Sequence, residues 1–474
     1  MGSDDTLSIE SESVLSYSKL QGSQVNKMGP NDTFSIEYES CGLCFEENNK
    51  LSECEHIERK SETENKECID IKQPAKPSSS FTHSVINMTG MVIGLGQLST
   101  SYGLENGGWV SAFLLVGLGM ICAYSACLLG KCLDKNPELR SYTDIGQQAF
   151  GTKGKIIATI LIYTDVFMGL VSYTISLHDN LNMVIKGIPI KVPLIKKSKL
   201  LTTTAILVTL PSLWLRDFTS IAFLSAGGII MSMLIFLTVT GTAIFGVVNA
   251  NHNIPVLHLN KIPHVTGLYA YSYAGHTVFP NIYTSMKDPS KYPKVTVLSF
   301  TTITALYTAL AFMGAKMFGP NINSQITLSM PQDSIATKIA LWATVLTPMT
   351  KYALKFAPLA IQLEHNLPSF TSSRTRKIIR GSIGSILLIA ILALALSVPY
   401  FQYVLNLTGS LISVSISIII PCIFYSKIHL AEISKPHLLF NGIIIMIGFV
   451  ISLTGTMSSS KSLIKKITTA TPSG

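Results

Sequence analysis

The chain has 474 residues, 47% hydrophobic and 13% charged, with a formal net charge of +9 at pH 7. Soluble domains carry about 25% charged residues, and the apolar residues here fall in runs of about 17–30, the length that crosses a hydrocarbon core of about 30 Å. A soluble enzyme is excluded.

The charge is divided along the chain. Residues 1–80 hold 16 Asp and Glu against 8 Lys and Arg; the rest holds 28 Lys and Arg against 11 acids. An acidic tail joined to a membrane body with basic loops gives the overall sign, and no basic stretch interleaved with aromatics points to nucleic acid.

Residues 1–80 are rich in Ser, Glu and Asn and close on Gln73-Pro74-Ala75-Lys76-Pro77-Ser78-Ser79-Ser80. Such a segment buries too little apolar surface to offset chain entropy, so it is predicted to be a disordered cytosolic tail. It lacks the basic and apolar regions of a secretory signal peptide. Met1-Gly2-Ser3-Asp4-Asp5-Thr6 fits the myristoylation pattern, but its acids disfavour an anionic surface and a multispan protein needs no lipid anchor. Cys41, Cys44, Cys54 and His56 have the chemistry of zinc ligands, yet their spacing matches no standard finger, so no metal site is assigned. The sequon at Asn31 is idle in a cytosolic tail. Cys122, Cys127, Cys132 and Cys422 lie in or beside apolar runs and read as packing residues, without a disulfide framework.

Eleven spans are predicted in the body at 81–458: 83–103, 108–132, 154–181, 200–215, 219–250, 266–286, 295–318, 334–361, 378–398, 401–426 and 437–458. Only Arg216-Asp217 separates the fourth from the fifth. Residues 459–474 form a short C-terminal tail. Loops on the side of the amino terminus hold fifteen Lys and Arg and those on the opposite side ten, which places the amino terminus in the cytosol. Five lysines at 186–199 oppose that bias.

Two spans carry helix-breaking signals. The first contains Gly90-Met91-Val92-Ile93-Gly94-Leu95-Gly96, and the sixth contains Tyr273-Ala274-Gly275-His276-Thr277-Val278-Phe279-Pro280. Proline removes a ladder N–H and glycine admits conformations that other residues avoid. Unwound backbone at membrane depth is tolerated where it lines a cavity or is buried in protein; the alternative is that the glycines only let helices pack closely. First and sixth are equivalent positions in two five-helix repeats, and breaks at matching positions point to a transporter site. Leu224-Ser225-Ala226-Gly227-Gly228 and Leu407-Thr408-Gly409-Ser410 echo each other weakly at the fifth and tenth positions. An odd number of helices per repeat requires the repeats to be inverted. The fold class is therefore an all-α membrane protein of eleven helices: a 5+5 inverted repeat plus one helix, with helix breaks at Gly90 and Pro280.

Ionisable residues inside spans are costly and each needs a reason. Asp165 reads as the only carboxylate deep in a span. It is either a proton site or ligand contact, or a structural carboxylate bonded to a tyrosine or the backbone. His276, beside the second break, can exchange a proton or cap freed carbonyls. Lys351 and Lys355, one turn apart in the eighth span, line the cytosolic vestibule or extend to the nearer interface.

Several runs resemble the amino acid/auxin permease family, in its plant and fungal vacuolar amino acid transporter branch. They are Gly94-Leu95-Gly96-Gln97-Leu98-Ser99-Thr100-Ser101-Tyr102, Ser141-Tyr142-Thr143-Asp144-Ile145-Gly146 and Trp214-Leu215-Arg216-Asp217. The most specific begins Gly275-His276-Thr277-Val278-Phe279-Pro280-Asn281 and continues through Ile282-Tyr283-Thr284-Ser285-Met286-Lys287-Asp288-Pro289. Met330-Pro331-Gln332-Asp333 and Thr350-Lys351-Tyr352-Ala353-Leu354 add to it, and the likeness extends over about residues 80–458.

The resemblance implies a cytosolic amino terminus, a LeuT-like core and proton-coupled movement of neutral amino acids across the vacuolar membrane, with the plasma membrane as the other location. It implies that the backbone at Gly94, Leu95 and Gly96 receives the substrate carboxylate, with Tyr273, Ala274 and Gly275 facing it. The branch carries an acid at the position of Asp165. Ser101 replaces the proline usual in the family, which suggests a less rigid exit from the break, and Gln97 replaces an apolar residue. His178 stands where the family has an acid, and Gly90 where sodium-coupled relatives carry Asn.

The leading expectation is a proton-coupled secondary transporter of neutral amino acids, filling the vacuole by antiport. Its partners are the amino acid, protons and the bilayer, with no cofactor, no metal and no nucleic acid; the sequence does not fix an oligomeric state. The alternative is an amino acid sensor that signals through its tail without net transport. No nucleophile–base or metal-ligand constellation in the spans supports an enzyme.

Overall fold

The computed structural model describes residues 79–186, 202, 203, 206, 218–245, 248–365 and 372–470. The acidic tail up to residue 78, most of the predicted fourth span at 200–215, Trp214 to Asp217 and the lysines at 191–199 lie outside the described residues.

The described residues form helices: α1 (Phe81–Val92), α2 (Gly96–Gly107), α3 (Trp109–Lys135), α4 (Tyr142–Val184), α5 (Phe218–Ile244), α6 (Ile262–Ser272), α7 (Phe279–Ser285), α8 (Tyr292–Phe318), α9 (Ile335–His365), α10 (Ser373–Ser397), α11 (Phe401–Leu407), α12 (Ile420–Ile428) and α13 (Lys435–Ala470). Two π-helical turns, Thr408–Ser413 and Ser415–Ile419, join α11 to α12 into one rod.

Six stretches among the described residues are long and apolar enough to cross a bilayer: Trp109–Lys135, Tyr142–Val184, Gly227–Ile244, Pro289–Asn321, Phe401–Ile428 and Lys435–Thr469. This is fewer than the eleven spans predicted. The first and sixth are each divided into two short helices, and most of the fourth lies outside the described residues. Phe113 and Met120 on α3, Ile386 and Ile389 on α10, and Met446 and Leu453 on α13 are exposed. Outward apolar faces of this kind suit a lipid surface, and the chain is a multi-pass membrane protein.

Local chemistry sets the ends of several helices. Ser141 and Asp144 form a capping box: Ser141 Oγ accepts from the Asp144 amide at 3.2 Å, and Asp144 Oδ2 accepts from the Ser141 amide at 3.0 Å. That accounts for two residues of the run Ser141–Gly146. One turn later α4 kinks at Phe150–Gly151, where Gly151 takes φ 62° and ψ −147°, a region open essentially to glycine.

The interior is built around α8 and α9. α8 packs on α1, α2 and α3, while α9 packs on α4 and α5. In the second predicted repeat, Gly409 sits so close to α6 that an added Cβ would clash with the Gly267 carbonyl group. Ser101, where the family resemblance suggested a less rigid exit, is bonded to a neighbouring helix. Its hydroxyl donates to the Leu310 carbonyl of α8 at 2.7 Å, and α2 runs through it unbroken. A hydroxyl restores an interhelical link that proline cannot make.

Candidate functional site

The first predicted break lies at Ile93–Leu95, between α1 and α2. α1 stops at Val92; Ile93 turns to φ −66°, ψ 117°, and α2 begins at Gly96. Gly90 belongs inside α1, three residues before the turn. A Cβ there would run into Ile229 of α5, so this glycine serves close packing rather than unwinding. In the first turn of α2 the Gln97 amide donates to the Gly94 carbonyl at 3.3 Å and the Leu98 amide to the Leu95 carbonyl at 3.0 Å, which closes the turn on the break. Gln97 and Ser99 in that turn are buried, and Gln97 Oε1 and Ser99 Oγ have no hydrogen-bond partner among the described residues.

The second break separates α6, ending at Ser272, from α7, beginning at Phe279. Pro280 stands in the first turn of α7, where the missing N–H removes no ladder bond. Predicted as a helix break, Pro280 instead starts the helix that follows the break. Beyond α7, the Ser79 amide donates to the Ser285 carbonyl at 2.9 Å and the Lys287 amide to the Ser79 carbonyl at 3.0 Å. The entry to α1 is therefore tied to the exit of α7. Tyr283 of α7 donates to Asp134 of α3, so these ends share one face of the protein.

The two breaks meet. A Cβ added to Gly96 would stand 2.6 Å from Ser272 Cβ, and one added to Gly275 would stand 3.1 Å from Val92 Cγ2. Tyr307 of α8 places its hydroxyl 3.2 Å from the Val92 carbonyl and 3.0 Å from the Ser272 carbonyl. One phenol thus serves the last carbonyls of both interrupted helices, which have lost their partners in the ladder. Tyr173 of α4 brings its hydroxyl to 3.0 Å from where a Cβ on Gly94 would be.

A cavity of about 200 Å³ opens beside this junction; Met91, Asp165, Ala274, Gly275, Asn281 and Lys355 line it. It lies toward the face that holds Ser141 and Asn281, where α4 begins and α7 runs. Asp165 Oδ2 is 4.0 Å from Lys355 Nζ, and that ammonium lies 5.8 Å from the centre of the Tyr173 ring. The carboxylate thus faces a lysine, a partner neither of its sequence readings named, and the lysine turns inward instead of extending to the interface. Lys351 is also buried and donates to the carbonyls of Gly90 and Ile93, which neither of its sequence readings anticipated.

The remaining predicted residues divide. Ala274 and Gly275 line the cavity, whereas Gly94, Leu95 and Gly96 form the adjoining break. Tyr273 turns its side chain away, donating to Thr304 of α8 at 3.1 Å and packing on Phe300 and Tyr307. His276 is fully buried and points to α3: Nε2 lies 3.0 Å from the Cys122 carbonyl and 3.1 Å from Ser125 Oγ. This is capping of a carbonyl, in a neighbouring helix rather than in its own break.

Sequence reasoning missed Tyr173, Tyr307 and a polar cluster at the far end of α4. There Asp179 accepts from Gln325 Nε2 at 2.8 Å, while Gln325 Oε1 accepts from Ser176 at 2.6 Å and Asn180 at 2.7 Å. Asp179 lies within the predicted third span at 154–181, so Asp165 is not the only carboxylate in that span. The available signal was the crowding of Ser176, Asp179 and Asn180 on one helical stretch.

The family model described as "Transmembrane amino acid transporter protein" matches residues 77–464. An amino acid transporter of Arabidopsis thaliana, AVT1H, is 54% identical over 427 residues, covering 90% of this chain and 98% of that one. The Arabidopsis amino acid transporter AVT1B is 38% identical over 399 residues, covering 82% and 72%. The inward-facing conformation of Mhp1 aligns with a TM-score of 0.48 and 14% identity, covering 83% of this chain and 90% of that one. With its match across the whole membrane body, the chain belongs to the transmembrane amino acid transporter family, within the amino acid/auxin permeases.

Proposed function

We propose that the protein is a proton-coupled secondary transporter of neutral amino acids in the vacuolar membrane, loading the vacuole by antiport. The reading includes eleven spans in a LeuT-like arrangement of two inverted repeats plus one helix, with the amino terminus cytosolic. One observation carries it: two interrupted helices meet at Gly96 and Ser272 beside a cavity. A free amino acid needs donors for its carboxylate and acceptors for its ammonium. The positive end of the α2 dipole, with the Gly96 amide at its start, suits the first. The backbone carbonyls of Tyr273 and Ala274 in the second break supply the second.

Neutral side chains follow from the charge balance of the lining. Asp165 and Lys355 face each other there, so neither sign is left in excess for a charged substrate side chain. The substrate-binding set is Gly94, Leu95, Gly96, Ala274 and Gly275, with Tyr273 contributing its backbone. Asp165 is the coupling candidate because it lines the cavity, and His276 stands in reserve. The vacuolar location rests on the family resemblance.

The test is uptake of a radiolabelled neutral amino acid into proteoliposomes with an acidic interior. Antiport predicts accumulation inside that a protonophore collapses, unchanged when choline replaces sodium. Accumulation only when the acid side is outside would replace antiport by symport. Tight binding with no accumulation in either orientation would make the protein a sensor.

A further inference from the structure

Lys351 is a charged side chain built into the interior. It is 7% exposed, and its Nζ donates to the Gly90 carbonyl at 3.2 Å and to the Ile93 carbonyl. Both oxygens belong to the end of α1. The stem reaches them through space that glycines leave open: a Cβ on Gly228 of α5 would stand 2.9 Å from Lys351 Cε, and one on Gly94 would stand 3.6 Å from Nζ. Asp165 is paired with Lys355, so the partners of Lys351 are carbonyls rather than a carboxylate.

Carbonyls at a helix C-terminus carry partial negative charge and lack ladder partners. In a low dielectric they attract a cation strongly, and in transporters such unwound ends commonly coordinate an exchangeable monovalent ion. Here the charge arrives on α9, attached to the chain.

We propose that Lys351 is the resident cation of the α1 break, a tethered ammonium that occupies the place of an exchangeable ion. It is a positioning residue. By holding the Gly90 and Ile93 carbonyls it fixes the turn at Ile93–Leu95 and so the direction of the α2 N–H groups. This rests on the reading of that break as the substrate site, and it gives a physical reason for transport without sodium: the site already contains its cation.

Two variants of the full chain test it, Lys351→Met, which keeps the bulk of the stem, and Lys351→Ala, which opens space for a small amine. Hydrogen exchange of the amides at 93–98 is read first, without substrate or gradient. Losing charged hydrogen bonds to two carbonyls should raise exchange there by about tenfold or more in both variants, with amino acid uptake falling by a similar factor. Ethylammonium should restore protection and uptake in Lys351→Ala, while tetramethylammonium, equally charged but without N–H donors, should not. Should Lys351→Met fail to fold, Lys351→Ala purified with ethylammonium and then freed of it gives the same comparison. Wild-type exchange in the variants, or a Lys351→Ala protein indifferent to ethylammonium, would overturn the proposal. A wild-type protein that moves no amino acid overturns the transport reading instead, because exchange at the break is measured separately.

Discussion

Gly96→Val is expected to abolish amino acid uptake, and Gly94→Val to do nearly the same, while both proteins still reach the membrane. At Gly96 the argument is steric: the added Cβ would lie 2.6 Å from Ser272 Cβ, and the Ser272 backbone is closer still. Backbone at the end of α6 cannot step aside as a flexible side chain would, so the two breaks must separate. Overpacking of this kind costs about 1–3 kcal/mol or more, and a β-branched residue adds to it. Expressed in the transport barrier, that is roughly a 5- to 150-fold loss of rate, or more. Gly94 is roomier, since its Cβ would stand 3.0 Å from the Tyr173 hydroxyl and 3.6 Å from Lys351 Nζ. Valine there acts chiefly by filling the space that a carboxylate needs, so Gly94→Ala should be milder than Gly96→Ala. Initial uptake rates, normalised to protein in the membrane, check the series. Wild-type affinity and turnover in either valine variant would remove this break from the binding site.

Asp165→Asn is expected to keep amino acid binding and exchange but lose accumulation driven by a pH gradient. The carboxylate lines the cavity and its nearest charge is Lys355, 4.0 Å away. A proton arriving at Asp165 would release that lysine, and the amide can neither gain the proton nor hold the pair. Counterflow should therefore persist while concentrative uptake stops. His276→Gln should leave accumulation intact, because its ring is sealed against Cys122 and Ser125 on the side of α3. Its cost should appear as about 1–2 kcal/mol of stability, from a weakened buried hydrogen bond. Accumulation by Asp165→Asn equal to wild type would make the carboxylate structural. Loss of accumulation in His276→Gln would move the coupling site there.

The length of each apolar run, and hence the membrane character of the chain, was legible without a structure, because bilayer thickness imposes a one-dimensional requirement on sequence. The interruptions were legible too, at Gly94–Gly96 and ahead of Pro280, since glycine and proline change local backbone energies wherever they stand. What glycine does in a given place was not. Gly90 and Gly94 are four residues apart in sequence, yet one packs inside a helix against Ile229 and the other lies in the turn. The sequence likewise marked Asp165, Lys351 and Lys355 as charges needing partners, because burial in hydrocarbon is costly for any of them. It left open which partners they find. Tertiary packing assigns Lys355 to Asp165, gives Lys351 the carbonyls of α1, and sets one tyrosine, Tyr307, against the ends of two helices nearly 200 residues apart. Those pairings depend on which helix faces are brought within about 3 Å of each other, the range in which a hydrogen bond forms. Distances of that kind are set by the packing of all the helices at once, not by any local run of residues.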